Sequence, residues 1–227
     1  TLIAVDEAHC ISQWGYDFRP SYLHIAEVRK ILPGLPVLAL TATATPVVAE
    51  DIVEKLVFAE KNIFQKSYER KNLAYIVIKE ENKLSRLVKI IEKVKGSGIV
   101  YVRNRKKTKE ISEYLRKLNI PADFYHAGLS PEERHYRQDS WIRNRIRIIV
   151  ATNAFGMGID KPDVRFVAHL DLPDSLEAYF QEAGRGGRDG QRAYAVLLYN
   201  NSDKADLEDR IQQSFPEPEE IKNTYQA

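Results

Sequence analysis

Two adjacent carboxylates, Asp6 and Glu7, follow directly on the apolar run Leu2–Val5. Such a run is typical of a buried parallel strand, and the carboxyl end of such a strand is where open α/β sheets bind ligands. Two acids placed there suit nucleotide hydrolysis, in which Asp6 orients Mg²⁺ through its waters and Glu7 polarises the attacking water. Adjacent acids also cap helices or face solvent, so the pair alone leaves that alternative open.

Two arginines, Arg185 and Arg188, lie three residues apart in the glycine-rich run QEAGRGGRDG, residues 181–190. Glycine weakens helices and long cations resist burial, so this run is not typical of a packed core. It predicts a sharply turning backbone that presents guanidinium groups to a phosphate. An exposed glycine-rich turn is the alternative. A dinucleotide-binding G-x-G-x-x-G motif is excluded, because Asp189 occupies its last glycine position.

Polar residues also follow three strands that are predicted further along the chain. They are Arg103 and Asn104 after residues 98–102, His126 and Gly128 after residues 122–125, and Thr152 after residues 146–151. Each set lies at a carboxyl end, which is the ligand-binding edge of a parallel sheet. One such loop is typical of a solvated surface, whereas three in one block favour a binding edge.

The loop SQWGYDFRP, residues 12–20, combines aromatic side chains with an arginine. It is too polar for a core and too aromatic for an ordinary connection. Trp14, Phe18 and Arg19 therefore indicate a planar or anionic partner.

Short apolar runs alternate with helical patterns from end to end, which predicts an α/β fold of mostly parallel sheets flanked by helices. The predicted strands cover residues 2–5, 36–40, 74–78, 98–102, 122–125, 146–151, 164–170 and 193–199. Capping patterns predict helix starts at Thr45–Pro46, Ser130–Glu133 and Asp174–Glu177.

The polar stretch between about residues 60 and 74 predicts a domain boundary. We expect residues 1–65 to form the C-terminal part of one lobe, since two strands are too few for a complete α/β domain. Residues 66–210, with six strands, are expected to form a complete lobe, and residues 211–227 an acidic, proline-bearing connector. The chain begins at Thr1 without an initiator Met, and its first predicted strand starts at the next residue. We therefore expect it to be a fragment that lacks the N-terminal part of its first lobe.

The composition is that of a globular protein, with 227 residues of which 44% are hydrophobic. Lys plus Arg number 34 against 32 Asp plus Glu, so any basic surface for nucleic acid must be local. The single cysteine, Cys10, excludes an internal disulfide and a cysteine-rich zinc site. No apolar run approaches the roughly 20 residues of a membrane span, and we expect a soluble intracellular protein.

Several of these motifs occur together in an order that resembles superfamily-two helicases, specifically the RecQ family of DNA helicases. The matching segments are DEAH at 6–9, SQWGYDFRP at 12–20, TATA at 41–44, YHAGL at 125–129, ATNAFGMGIDKPDVRFVAH at 151–169 and YFQEAGRGGRDG at 179–190. The aromatic-rich segment distinguishes RecQ proteins from other DEAH and DEAD-box members. The resemblance implies two RecA-like lobes that clamp ATP, one of them partial here. It also implies 3′-to-5′ unwinding of DNA in repair and recombination.

The resemblance further implies roles for individual residues. For ATP hydrolysis, Asp6 and Glu7 are implied to be the metal-binding and water-activating acids, and His9 links the nucleotide site to the second lobe. Arg188 is implied to be the arginine finger and Arg185 a second γ-phosphate contact. Gln181 is implied to belong to the same nucleotide interface. Gly158 and Asp160 are implied beside the nucleotide, Asp160 near its ribose. Trp14, Phe18 and Arg19 are implied to sense DNA, with Arg103, Asn104, His126, Gly128 and Thr152 along its backbone.

The ligands that the resemblance implies are ATP, Mg²⁺, and single-stranded and partially duplex DNA. In a bacterium, the implied location is the cytoplasm, in association with the nucleoid. In a eukaryote, it is the nucleus.

Two departures from the family pattern bear on the mechanism. Tyr16 stands where the family usually has histidine, which removes a titratable donor from the aromatic loop. No Gly-Lys dipeptide occurs in the 227 residues, so the phosphate-cradling P-loop is missing from them. We therefore expect this chain by itself to hydrolyse ATP poorly.

Two alternatives remain from the sequence. The first is a DEAD-box-like RNA helicase, against which the aromatic loop argues. The second is a non-catalytic nucleic-acid-binding module, which would have no need of Glu7 or Arg188.

Overall fold

The computed structural model describes residues 1–13, 17–156, 159–214 and Lys222. They divide into two compact units. The first takes Thr1–Glu69 and Ser175–Gln181, and the second takes Arg70–Asp174 and the residues from Glu182 onward. Among the described residues, no helix is both long enough and apolar enough to cross a membrane.

The first unit is built on two short parallel strands, in which Ile3 lies beside Val37. Its elements are β1 (Ile3–Val5), 3₁₀ turns at Ala8–Ile11 and Pro20–His24, α1 (Ile25–Ile31), β2 (Val37–Ala39) and α2 (Pro46–Lys55). The α2 helix begins as predicted, because Thr45 Oγ1 accepts a hydrogen bond from the Val48 amide at 3.3 Å. The core consists of Val5, Ala8, Ile11, Val48, Ile52 and Leu56.

The second unit contains a six-stranded sheet in the order β3-β8-β7-β4-β6-β5, and every pairing is parallel. The strands are β3 (Leu73–Lys79), β4 (Ser97–Tyr101), β5 (Ala122–Tyr125), β6 (Ile148–Ala151), β7 (Val164–His169) and β8 (Ala193–Tyr199). The helices along this part of the chain are α3 (Lys83–Lys93), α4 (Arg105–Lys117), α5 (Pro131–Ile142), α6 (Leu176–Ala183) and α7 (Asn201–Ser214). Because all six strands run the same way, their carboxyl ends share one edge of the sheet.

The central strand β4 is buried along its whole length and separates two hydrophobic clusters. Val100 belongs to the cluster that contains Leu87 of α3, whereas Ile99 and Tyr101 belong to the cluster that contains Trp141 of α5. This division follows from the strand itself, since successive side chains point to opposite faces. Both faces of the sheet are therefore covered, as parallel sheets require.

The structure confirms the predicted α/β fold, and all eight strands lie within one or two residues of their predicted bounds. The capping box at the start of α5 is also confirmed. Ser130 Oγ accepts from the Glu133 amide at 3.2 Å, and Glu133 Oε2 accepts from the Ser130 amide at 3.0 Å.

The predicted cap at Asp174 is wrong by one residue. Ser175 Oγ accepts from the Ala178 amide at 3.0 Å and so caps α6. The Asp174 carboxylate instead binds the guanidinium of Arg103, which follows β4. A charged partner from a distant part of the chain thus replaces the local capping bond.

Arg147, just before β6, joins the sheet to the end of α3. Its guanidinium donates to the carbonyls of Ile91, Val94 and Gly96 at 2.5, 2.7 and 2.9 Å. The last carbonyls of a helix have no partner within it, so this arginine satisfies acceptors that burial would otherwise leave unpaired. Burial lowers the pKa of Arg147, but a guanidinium remains charged in proteins.

We expect Arg147→Lys to lower the free energy of unfolding by about 1–3 kcal/mol, because a single ammonium does not reproduce the fork that reaches three carbonyls. Urea denaturation followed by circular dichroism measures the change. The matched control is Arg143→Lys, whose side chain is 69% exposed. Its effect should stay below about 0.5 kcal/mol. Equal losses from the two substitutions would show that the Arg147 contacts do not stabilise the unit.

Candidate functional site

The predicted acids lie at the carboxyl end of β1, where the 3₁₀ turn Ala8–Ile11 begins. Glu7 has a left-handed backbone with φ 50°, which is uncommon outside glycine, and its amide donates to Asp6 Oδ1 at 2.9 Å. The Glu7 side chain makes no capping bond, so the helix-cap alternative does not describe it. Asp6 is exposed and Glu7 half-buried. Accessible carboxylate oxygens suit Mg²⁺, which prefers oxygen ligands and keeps several waters.

His9 connects Glu7 with the threonines that follow β2. The His9 ring is 2% exposed, and its Nδ1 lies 3.0 Å from Thr41 Oγ1, 3.5 Å from Thr43 Oγ1 and 3.3 Å from Glu7 Oε2. Burial lowers the pKa of His9, although Glu7 opposes the shift, so the ring is neutral at neutral pH. Gln181, which belongs to the same unit, donates to Glu7 Oε1 at 3.3 Å. Gln181 thereby orients one carboxylate oxygen of Glu7, and the His9 ring lies beside the other.

The loop that follows the acids folds back on Cys10. The Arg19 amide donates to Cys10 O at 2.8 Å, and its guanidinium donates to Asp17 Oδ2 at 2.5 Å. This bond holds the pKa of Asp17 below its usual range, and burial raises the pKa of Cys10 to about 11. Side-chain atoms of His9, Cys10 and Asp17 that could bind a metal lie within 4.8 Å of one another. Because Arg19 already donates to the Asp17 oxygen, we interpret these three residues as a hydrogen-bonded group and not as a metal site.

Of the aromatic residues predicted in this loop, Phe18 is half-buried. The residues Trp14, Gly15, Tyr16 and Gly158 lie outside the described part of the chain.

Both arginines of the glycine-rich run contact the segment that follows β6. Arg185 is 8% exposed, and its Nη1 donates to Gly156 O at 2.7 Å. Arg188 Nη1 donates to Ile159 O at 3.1 Å and to Asp160 Oδ1 at 2.8 Å. The structure thus brings together Arg188 and Asp160, two residues predicted to contact the nucleotide. Their side chains are 37% and 83% exposed, so a ligand can reach both.

The Arg185 side chain is more buried than the sequence predicted for a guanidinium presented to a phosphate. Its guanidinium lies against the backbone of Gly156, where an added Cβ would stand 2.5 Å from Nη2. A buried charge needs an acceptor, and the Gly156 carbonyl supplies one. Gly186 and Gly187 are buried as well, so the alternative of an exposed glycine-rich turn is wrong for residues 185–187.

Two residues that the sequence did not reveal, Arg70 and Asn72, hold the glycine-rich turn from the segment before β3. Arg70 donates to the carbonyls of Gly184, Gly186 and Gly187 at 3.3, 2.9 and 2.9 Å. Asn72 Nδ2 donates to Gly187 O at 2.7 Å. Gly187 has φ 60°, and an added Cβ would meet Asn72 Nδ2 at 2.6 Å, so this position requires glycine.

The residues after β4 are held by partners within their own unit. The Arg103 side chain binds Asp174, and its amide donates to Asp171 Oδ2 at 2.9 Å. Asn104 caps α4, since its Oδ1 accepts from the Lys106 amide at 2.7 Å. Acidic and capping partners compete with the phosphate contacts predicted for these two residues.

The residues after β5 form a group with Arg105, which the sequence did not single out. His126 Nδ1 is buried and has no hydrogen-bond partner among the described residues. A Cβ on Gly128 would stand 3.2 Å from Arg105 Nη1 and 3.3 Å from His126 Nδ1. Burial lowers the pKa of His126, and Arg105 adds to the shift. A buried nitrogen without a hydrogen-bond partner beside a guanidinium marks a position where a ligand can supply the missing hydrogen bond.

Thr152 follows the neighbouring strand β6. It is buried, and its amide donates to Tyr125 O at 3.2 Å.

The sheet, its polar edge and the glycine-rich turn that carries Arg185 and Arg188 correspond to a known domain. We call this turn, residues 184–190, the arginine turn. The family model for the helicase conserved C-terminal domain matches residues 82–190, which include β4 to β7, Asp160 and both arginines. Residues 82–190 therefore form a helicase conserved C-terminal domain.

Two relatives narrow this class. The chain is 43% identical over 206 residues to the ATP-dependent DNA helicase RecQ of Pasteurella multocida (strain Pm70), covering 90% of this chain and 33% of the relative. It is 44% identical over 216 residues to the RecQ-like DNA helicase blm-1 of Caenorhabditis elegans, covering 92% of this chain and 22% of the relative. The chain belongs to the RecQ family, and it spans a third or less of the length of these two relatives.

Among solved structures, the chain resembles the Mycobacterium smegmatis helicase Lhr bound to ssDNA and AMP-PNP. The TM-score is 0.73 at 21% identity, over 91% of this chain and 29% of that chain. At this identity the likeness shows the fold alone. It agrees with the predicted RecA-like sheets flanked by helices.

The reactivity of Cys10 tests whether the loop covers it. A pKa raised from 9.0 to about 11 lowers the reactive thiolate fraction about a hundredfold at about pH 8. We expect iodoacetamide to label Cys10 at least that much more slowly in the folded chain than in denaturing urea, as followed by mass spectrometry. Labelling of the folded chain should accelerate as the pH rises towards that value. Equal rates with and without urea would show that Cys10 is not covered.

Proposed function

We propose that this chain is part of an ATP-dependent 3′-to-5′ DNA helicase of RecQ type. The protein couples ATP hydrolysis to translocation on single-stranded DNA and to duplex unwinding in repair and recombination. The observation that carries the proposal is the exposed pair of Arg188 and Asp160, 2.8 Å apart, in the matched helicase domain. The names of the two relatives support it, since both are DNA helicases and one is ATP-dependent.

In this proposal the acids after β1 hold the metal and prepare the water. Asp6 would hold Mg²⁺, which suits an exposed carboxylate and a cation that prefers oxygen ligands. When bound, Mg²⁺ neutralises charge on the phosphates. Glu7 polarises the attacking water. Because His9 and Gln181 each lie 3.3 Å from a Glu7 carboxylate oxygen, this side chain loses little freedom when it orients that water.

The arginine turn supplies the positive charge. Arg188 acts as the arginine finger, because a phosphate carries more negative charge than Asp160 and competes for its guanidinium. Asp160 is then available to a ribose hydroxyl. Arg185 is mainly held by Gly156 through Nη1, and we propose that a remaining N–H of its guanidinium contacts a γ-phosphate oxygen.

The proposed DNA contacts use the polar sheet edge and the aromatic loop. We assign phosphate contacts mainly to His126, Gly128 and Thr152, since Arg103 and Asn104 have partners within the unit. In the loop, Phe18 stacks on a base, which contributes about 1–3 kcal/mol by alanine substitution in comparable proteins. Trp14 and Arg19 are proposed to act with it.

The proposed activity belongs to the full-length gene product. The 227 residues contain no P-loop motif, which is the element that holds the β and γ phosphates in such enzymes. We therefore propose that this chain alone hydrolyses ATP poorly. Its place of action is proposed to be the nucleoid in a bacterium or the nucleus in a eukaryote.

Replacing the proposed arginine finger tests the catalytic assignment. In the full-length gene product, Arg188→Ala should lower DNA-stimulated ATP hydrolysis by about a thousandfold, because that charge is needed mainly in the transition state. The unfolding midpoint should change little, since the Arg188 side chain is 37% exposed. Arg192→Ala is the control, as Arg192 is exposed and lies outside the proposed site. An Arg188 variant that retains a third or more of the wild-type kcat would refute the finger role.

Polynucleotide specificity separates the proposal from its rivals. We expect single-stranded DNA to stimulate ATP hydrolysis by the full-length gene product at least about tenfold more than single-stranded RNA of the same sequence, a difference of about 1.4 kcal/mol. Equal or greater stimulation by RNA would favour an RNA helicase. Nucleic-acid binding without any ATP hydrolysis would favour a non-catalytic module.

A further inference from the structure

Three backbone carbonyls after β6 are held by side chains from elsewhere in the second unit. Tyr101 Oη donates to Phe155 O at 2.7 Å, Arg185 to Gly156 O at 2.7 Å and Arg188 to Ile159 O at 3.1 Å. We call residues 152–156 and 159–160 the post-β6 segment. It carries Thr152 and Asp160, which are proposed to contact DNA and nucleotide, so its position matters to both ligands.

Tyr101 is the donor that lies deepest. It is the last residue of the central strand β4 and is 3% exposed. Burial raises the pKa of its hydroxyl, and the neighbouring Arg185 guanidinium opposes that rise only in part. The hydroxyl therefore keeps its proton at physiological pH and remains a donor to Phe155 O.

The Tyr101 ring, like its hydroxyl, contacts a neighbouring residue. It stacks on the His169 ring, with centroids 5.2 Å apart and planes inclined by 22°. His169 Nε2 lies 2.8 Å from Glu182 Oε2, and the Glu182 carbonyl accepts from the Arg185 amide at 3.3 Å. The tyrosine thus contacts the post-β6 segment directly, and it is connected through the His169 ring to Glu182, which leads into the arginine turn.

The two neighbouring carbonyls connect this tyrosine with the nucleotide-binding residues. Gly156 O accepts from Arg185 and also from the Ile159 amide, at 3.2 Å. A shift of Phe155 moves the next residue, Gly156, and so disturbs both of these bonds. Ile159 is in turn bound by Arg188 and precedes Asp160.

We propose that Tyr101 is a positioning residue, whose buried hydroxyl fixes the post-β6 segment and thereby the relative placement of Asp160 and Arg188. As far as it concerns catalysis, this inference rests on the proposed function. Tyr101 touches no substrate in this role. It acts through the carbonyl of Phe155.

The test is Tyr101→Phe in the full-length gene product, which keeps the ring and removes only the donor. The matched control is Tyr125→Phe, since Tyr125 is a buried tyrosine of β5 whose ring packs edge-on against the same Phe155 at 4.8 Å. Two readouts are needed. They are hydrogen–deuterium exchange of the Phe155 and Ile159 amides, and kcat and KM for DNA-stimulated ATP hydrolysis.

In Tyr101→Phe we expect both amides to exchange about tenfold faster, because a buried carbonyl loses its partner, with exchange in β3 and β8 unchanged. We expect kcat to fall about tenfold while KM for ATP changes less than about threefold, because the arginine finger acts in the transition state. Tyr125→Phe should resemble the wild type in both readouts.

Three outcomes would overturn the proposal. They are wild-type exchange in Tyr101→Phe, faster exchange spread over the whole sheet, and a kcat equal to that of the control. If the wild-type gene product shows no DNA-stimulated ATP hydrolysis, the proposed function fails instead. The exchange data still decide whether Tyr101 holds the segment.

Discussion

The packing of one buried guanidinium against one glycine is the contact on which the site of the second unit depends. Arg185 is 8% exposed and donates to Gly156 O at 2.7 Å, and the same carbonyl accepts from the Ile159 amide. A cation removed from water is stable only where acceptors face it, so the carbonyl and the cation fix each other. The arginine turn and the post-β6 segment are therefore joined before any ligand binds. This packing acts together with the Tyr101, Arg70 and Asn72 contacts to keep Arg188 and Asp160 side by side.

The strands and most helix starts could be predicted because they depend on residues that are close in sequence. Apolar runs bounded by polar residues located all eight strands, and Thr45 and Ser130 cap helices through amides three residues away. Asp174 shows where this reasoning ends. Its spacing is that of a cap, but its carboxylate binds Arg103, which lies 71 residues earlier in the chain, and Ser175 takes the capping position.

The site could be predicted only in part, for a related reason. Motif order singled out Arg185, Arg188 and Asp160 as candidates, because side chains that do chemistry are specific in type. It did not identify Arg70 or Tyr101, whose partners are backbone carbonyls. Every residue has a carbonyl, so no residue type marks an acceptor. The supporting contacts therefore become visible only when the fold brings the donor and the acceptor together.

A double-mutant cycle between Gly156→Ala and Arg185→Ala, measured by urea unfolding, tests this central contact most directly. A Cβ on Gly156 would stand 2.5 Å from Arg185 Nη2. We therefore expect Gly156→Ala to lower the free energy of unfolding by about 1–3 kcal/mol when Arg185 is present, and by much less in the Arg185→Ala background. If the two losses add to within about 0.5 kcal/mol, the guanidinium does not determine the backbone at Gly156 and the arginine turn is positioned by other contacts.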